Sequence, residues 1–183
     1  MLEKYLIEYC APTLASIKTA SMFICPYESE ENLMEQIRHW NEQLCIKGIA
    51  LILLKKCNYS ALIYVCRMSS LQADLKKPGT ARFLKSCGYF SCEAEIAISD
   101  LKKRLLKSDG FPHEIGIFLG YPLGDVIGFI VNGGRNCKCC GCWKVYCNEA
   151  EAQKCFKKYK KCRDMYCRLW SKGRSVLQLT VAD

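Results

Sequence analysis

Residues 49–67 restrict the fold more than any other part of the chain. The runs "IALILLKK" (49–56) and "ALIYVCR" (61–67) are rich in aliphatic and β-branched residues and are parted only by "CNYS", whose Asn58 suits a turn. Runs joined so closely read as a hairpin, so at least one antiparallel strand pair is expected.

Helices and further strands flank that hairpin. Leu2, Tyr5, Leu6 and Tyr9 recur at helical spacing until Pro12, which lacks an amide donor and pushes Ala11 away from helical dihedrals, so a short helix followed by a bend is predicted. "TASMFIC" (19–25) reads as a strand closed by Pro26. Ser29 then caps a helix with the stripe Leu33, Ile37, Trp40 and Leu44, which ends at Lys47 and Gly48 and turns His39 to water. Ser69 and Thr80 begin two short helices parted by Pro78 and Gly79, and Ala94, Ile98, Leu101 and Leu105 mark a longer one ending at Asp109 and Gly110. "EIGIFLG" (114–120) reads as a buried strand and "DVIGFIV" (125–131) as a short helix stopped by Asn132, Gly133 and Gly134. "CWKVYC" (142–147) reads as a strand with Trp143 and Val145 on one face and Lys144 and Tyr146 on the other. Asn148 with Glu151 resembles a capping box opening a long helix to Lys172, closed by Gly173. The expected fold class is α/β, with α+β as the alternative: a single mixed sheet of about five strands, one antiparallel hairpin among them, covered by helices and followed by a long basic C-terminal helix.

At 183 residues, half of them hydrophobic, the chain suits one domain over 1–183 with a sizeable core. "MLEKYLIEYC" places Glu3, Lys4 and Glu8 where a secretory signal needs an unbroken apolar stretch, and "IALILL" (49–54) is too short to span a bilayer. A cytoplasmic location without a membrane partner is therefore expected. The formal charge of +9 is uneven: from Lys154 to Arg174 nine cations face Asp164 alone, so nine minus one leaves +8 on that segment.

The fifteen cysteines are odd in number and lack an export signal, which predicts thiols and fits an anaerobic or strongly reducing source. Five of them crowd into "RNCKCCGCWKVYC" (135–147). The expectation is that they hold no metal and act as small apolar filler, as Cys155 and Cys162 do in a helical stripe with Tyr159, Tyr166 and Leu169. The alternative is a zinc or iron–sulfur site on Cys137, Cys140, Cys142 and Cys147, or a thiol redox centre favoured by Arg135, Lys138 and Lys144. Adjacent Cys139 and Cys140 point in different directions on extended backbone, which makes the spacing permissive rather than specific.

The phrases "HEIGIFLGYPLGDVIGFI" (113–130), "GCWKVY" (141–146) and "GRSVLQLTVA" (173–182), with "CAPTLASIK" (10–18) and "YVCR" (64–67), carry a resemblance nearly end to end. In them the chain resembles the bacterial family known as domain of unknown function 3793. That resemblance implies no activity and transfers no catalytic residue. Cys140 ahead of "GCWKVY" fits the family pattern better than Cys137, Cys139, Cys142 or Cys147, which weakens a family-wide metal role. It also implies surroundings that include flavodoxin-like and iron-handling proteins.

Cations near strand ends suit a phosphate or carboxylate, and the candidate ligand-binding residues are Lys18, Arg67, His113, Glu114, Lys144 and Tyr146. The bland reading sends Lys144 along the surface, pairs Arg67 with a carboxylate and leaves His113 and Glu114 capping a strand. Two histidines, no phosphate loop, no dinucleotide fingerprint and no nucleophile elbow leave catalysis and cofactor unassigned. The lysines Lys157, Lys158, Lys160 and Lys161 are candidates for a partner, an acidic protein such as a flavodoxin-like one ahead of nucleic acid, for which no recognised module is present. The expected function is thus a binding or accessory protein for an anionic small ligand or an acidic protein.

Overall fold

The first helix of the chain buries one face along its length and nearly all of its C-terminal turn. In the computed structural model, which describes residues 2–107 and 111–182, α1 (Leu2–Leu14) runs through Pro12 instead of stopping before it. A proline inside a helix costs about 3 kcal/mol. Here it is offset by complete burial of Cys10, Ala11, Thr13 and Leu14, and the break comes later, at Ser16 with φ 57°.

β1 (Ala20–Pro26), α2 (Glu30–Leu44), a 3-10 turn at Cys45–Lys47, β2 (Ile49–Cys57) and β3 (Ser60–Arg67) follow. Ser29 caps α2 by accepting from the Asn32 amide at 3.2 Å, while Leu33, Ile37 and Leu44 are buried and His39 is exposed. The hairpin read from the sequence is β2–β3, turned at Asn58 with φ 41°. The strands form an antiparallel sheet in the order β1-β3-β2, with a register shift between Leu53 and Lys55. Such a bulge turns the following side chain to the opposite face. Phe23, Cys25, Leu51, Ile63 and Val65 share one core with Leu6, Ile7 and Leu14 of α1 and with Ile37 of α2.

α3 (Met68–Lys76), α4 (Pro78–Ser86), α5 (Ala94–Lys107), α6 (Ile115–Phe118) and α7 (Leu123–Val131) continue the chain. The helix end expected at Asp109 and Gly110 lies outside the described residues. β4 (Cys139–Cys140) and β5 (Lys144–Val145) pair with each other, and α8 (Glu149–Ser171) and α9 (Val176–Leu179) complete it. Asn148 caps α8 by accepting from the Glu151 amide at 3.2 Å, but the Glu151 carboxylate turns to Lys154 at 2.8 Å, so the capping box is half formed.

The single mixed sheet of five strands is not what forms. Among the described residues there are two antiparallel sheets, of three and two strands, and no parallel pair, so the arrangement is α+β. The decisive difference is "EIGIFLG", which folds as α6 with Ile115 to Leu119 all buried. A short run buried on every side has no polar alternation, so its periodicity does not separate strand from helix. The chain divides into two compact units, Met1–Leu71 with Lys161–Asp183, and Gln72–Lys160. Among the described residues no helix is long and apolar enough to cross a membrane.

Candidate functional site

In the second unit, α5 presents Asp100, Lys103, Arg104 and Lys107 at the i, i+3, i+4, i+7 spacing that puts residues on one helical face. That face borders a groove of about 700 Å³, whose lining includes Cys87, Phe90, Phe111, His113, Glu114 and Ile130. The volume lies in the range that takes small organic ligands.

The groove is held by a network around Arg104. Its Nη1 lies 3.6 Å from Glu114 Oε1, its Nη2 donates to the Cys87 carbonyl, and its guanidinium stacks 4.5 Å from the centre of the Tyr89 ring. The Tyr89 hydroxyl donates to Glu114 Oε1 at 3.3 Å. Burial first, and then the Glu114 charge, push the Tyr89 hydroxyl well above the ordinary tyrosine range, so it stays a neutral donor. Gly88, with φ 86°, makes room for this arrangement, because a Cβ there would stand 2.9 Å from Arg104 Nη2. Lys103 is paired with Asp100, 3.1 Å from its Oδ1, and its side chain stays 64% exposed, while Lys107 has no ion-pair partner among the described residues.

A thiol, a histidine and a carboxylate do line this one groove. Burial, followed by the charge of Glu114, pushes the Cys87 thiol up, against an opposing effect of Arg104. A nucleophilic cysteine needs the reverse, a thiolate stabilised near neutral pH. The His113 ring meets Phe129 edge-on, with centroids 4.9 Å apart. Burial and Glu114 thus work against thiolate formation at Cys87.

Of the six residues singled out for a ligand, His113 and Glu114 line the groove and the others do not. Lys144 donates to the Gly134 carbonyl at 2.6 Å and lies 5.8 Å from the same Phe129 ring that His113 meets. Tyr146 packs on Gly128, where a Cβ would come within 2.5 Å of its side chain, and its buried hydroxyl has no hydrogen-bond partner among the described residues. Both belong to the β4–β5 hairpin, which Asp125 anchors: Oδ1 accepts from the amides of Tyr146 and Cys147 at 2.8 Å, and Oδ2 accepts from Trp143 Nε1 at 2.7 Å. In the first unit, Lys18 is half-buried, and its charge opposes the upward push of burial on the Cys10 thiol. Arg67, 1% exposed, donates to the carbonyls of Thr13 at 2.7 Å, Leu14 at 2.8 Å and Val181 at 2.6 Å. It neutralises the carbonyl end of α1, a structural duty.

None of the fifteen cysteines is joined in a disulfide, and among the described residues no three His, Cys, Asp or Glu side chains gather closely enough to hold a metal ion. Lys138 and Lys144 spend their charge on the Cys147 and Gly134 carbonyls. The Cys139 thiol is pushed up, first by burial and then by Glu149. The groove cations Lys103, Arg104 and Lys107 were not among the sequence candidates, although their spacing with Asp100 is visible in the chain.

The family model described as "Protein of unknown function (DUF3793)" matches residues 6–180. No curated protein and no solved structure matches the chain.

Proposed function

Because the chain belongs to a family described only as proteins of unknown function, we propose its role from the groove: it binds an anionic small ligand there. The observation that carries this reading is the single α5 face that brings Lys103, Arg104 and Lys107 to a groove of about 700 Å³ with apolar walls. Arg104 is already tied to Glu114 and the Cys87 carbonyl, so Lys107 engages the anion first, joined by Lys103, whose 64% exposed side chain exchanges its pairing with Asp100 for the ligand. Lysine ammonium groups suit this task as compact charges with several donors.

A ligand that binds only the folded chain stabilises it by mass action, about 2.7 kcal/mol at a hundredfold excess over Kd. Thermal unfolding with a panel of phosphate, carboxylate, nucleotide and flavin compounds is expected to show a rise for at least one anion. The Lys103→Gln, Lys107→Gln double variant is expected to lose that rise while unfolding at the parent temperature without ligand. Absence of any rise across the panel would refute the groove as an anion site.

A second reading concerns α8. Lys157, Lys158, Lys160 and Lys161 are exposed and make no ion pair among the described residues, which supports docking of an acidic protein. Its test belongs with the energetics of that helix below.

A further inference from the structure

We propose that the anion taken by this groove carries a planar aromatic ring. The inference rests on the anionic reading of the same groove and narrows it to a class of ligand. Phe90 is 95% exposed and Phe111 47% exposed, and both line the groove with Ile130, itself 40% exposed. An isolated exposed phenylalanine needs no explanation, but several apolar side chains bordering one concave site mark a binding surface. Elsewhere the chain closes its aromatic rings on one another: Tyr89 meets Phe118 at 5.6 Å, Tyr121 stacks on Trp143 at 5.0 Å, and Trp143 meets Phe156 at 4.6 Å. Among the described residues Phe90 and Phe111 have no ring against them. The groove therefore offers unused aromatic faces beside the ammonium groups of Lys103 and Lys107.

A flat ring substituted with phosphate or carboxylate satisfies both features at once. Its charge meets the lysines, and its face covers Phe90 in the offset or edge-on geometry that aromatic pairs prefer. An aliphatic anion of equal bulk gains the area burial but lacks the ring–ring contribution. An inorganic anion gains neither.

The probes are 1-naphthyl phosphate, decahydro-1-naphthyl phosphate and inorganic phosphate, titrated calorimetrically into the full chain. Naphthyl phosphate is expected to bind roughly tenfold more tightly than its saturated counterpart of the same carbon count, near the upper range of an aromatic pair beyond its area. Inorganic phosphate is expected to be weakest. Phe90→Leu, at a site so exposed that folding does not depend on it, is expected to abolish the difference between the two organic probes while leaving the affinity of the saturated probe in place. Equal binding of the two by the parent, with both lost in Lys103→Gln, Lys107→Gln, would overturn the aromatic assignment and leave the anion reading standing. A naphthyl preference that survives both Phe90→Leu and Phe111→Leu would also overturn it. No binding of any probe would overturn the aromatic assignment and count against the anion reading too.

Discussion

At the scale of single residues, two buried charged groups decide local structure, and neither role was readable from its neighbours in sequence. Arg67 reaches acceptors 54 and 114 positions away, and the sequence shows only a cation ending a strand, which reads as a ligand group. Its distinguishing test is truncation. Arg67→Ala is expected to cost about 3–5 kcal/mol in urea unfolding, because several carbonyls lose a charged donor in a buried place. Arg67→Lys recovers only part of this, since a single ammonium cannot span the forked acceptors. Unchanged stability in the alanine variant would remove Arg67 from the framework and return it to the ligand candidates. Asp125 is the counterpart in the second unit: it was read only as the first residue of a helix, yet it gathers three N–H groups of the β4–β5 hairpin. Asp125→Ala is expected to cost about 2–4 kcal/mol, and Asp125→Asn less, because an amide oxygen still accepts but without charge.

At the scale of elements, the hairpin, α2 and α8 were legible because each carries two independent signals, a periodic stripe and a terminator such as Asn58, Ser29 or Gly173. "EIGIFLG" carried only hydrophobicity, and α1 crosses its proline because burial outweighs a local preference. The strand and C-terminal helix of the first unit also set a pH dependence. Burial pushes the Cys66 thiol on β3 from 9.0 up to about 12, and it pushes the Tyr166 hydroxyl on α8, which donates to the Leu179 carbonyl, from 10.0 up to about 12. Between about pH 9 and 12 the unfolded chain has released protons that the folded chain still holds, so stability is complete below this window and falls as pH rises through it. Urea midpoints are expected to drop across that range. The drop should be shallower in Cys66→Ala, and in Tyr166→Phe, whose midpoint starts lower for want of its hydrogen bond. A rising midpoint would contradict the sign. On α8, replacing Lys157, Lys158, Lys160 and Lys161 by Gln is expected to change stability by no more than about 1 kcal/mol, as at other surface sites. The same variant should weaken capture of an acidic protein, and added salt should weaken the parent's capture. Equal capture by variant and parent would leave the helix a solvated face.

At the scale of the whole chain, the fifteen thiols distribute by environment and not by motif. Cys10, Cys25 and Cys66 are buried in the first unit, whereas Cys140, Cys142 and Cys147 of the crowded segment are exposed and Cys137 and Cys139 half-buried. The crowding was legible, but whether thiolates converge depends on side-chain directions that spacing does not fix, and the short β4–β5 hairpin spreads them over β4 (Cys139, Cys140), the turn (Cys142) and the flanks (Cys137, Cys147). Reactivity then follows access and thiolate fraction. Burial pushes the Cys66 thiol up to about 12 and raises Cys10 further, so both are expected to resist alkylation until the chain unfolds. Timed labelling with iodoacetamide under reducing, native conditions, followed by peptide mass analysis, is expected to mark Cys140, Cys142 and Cys147 early and Cys10 and Cys66 only after addition of denaturant. Exposure of Cys140, Cys142 and Cys147 means that these three do not fill a core as the sequence reading expected. The same experiment after incubation with a strong chelator separates free surface thiols from ligands. A metal held by Cys137, Cys140, Cys142 and Cys147 would shield those thiols and, being coupled to folding, would loosen the hairpin on removal. With thiols that hold no metal, the chelator leaves the labelling order and the unfolding midpoint unchanged. Protection of these four that is lost in chelator, with near-stoichiometric zinc or iron released, would establish the metal reading in its place.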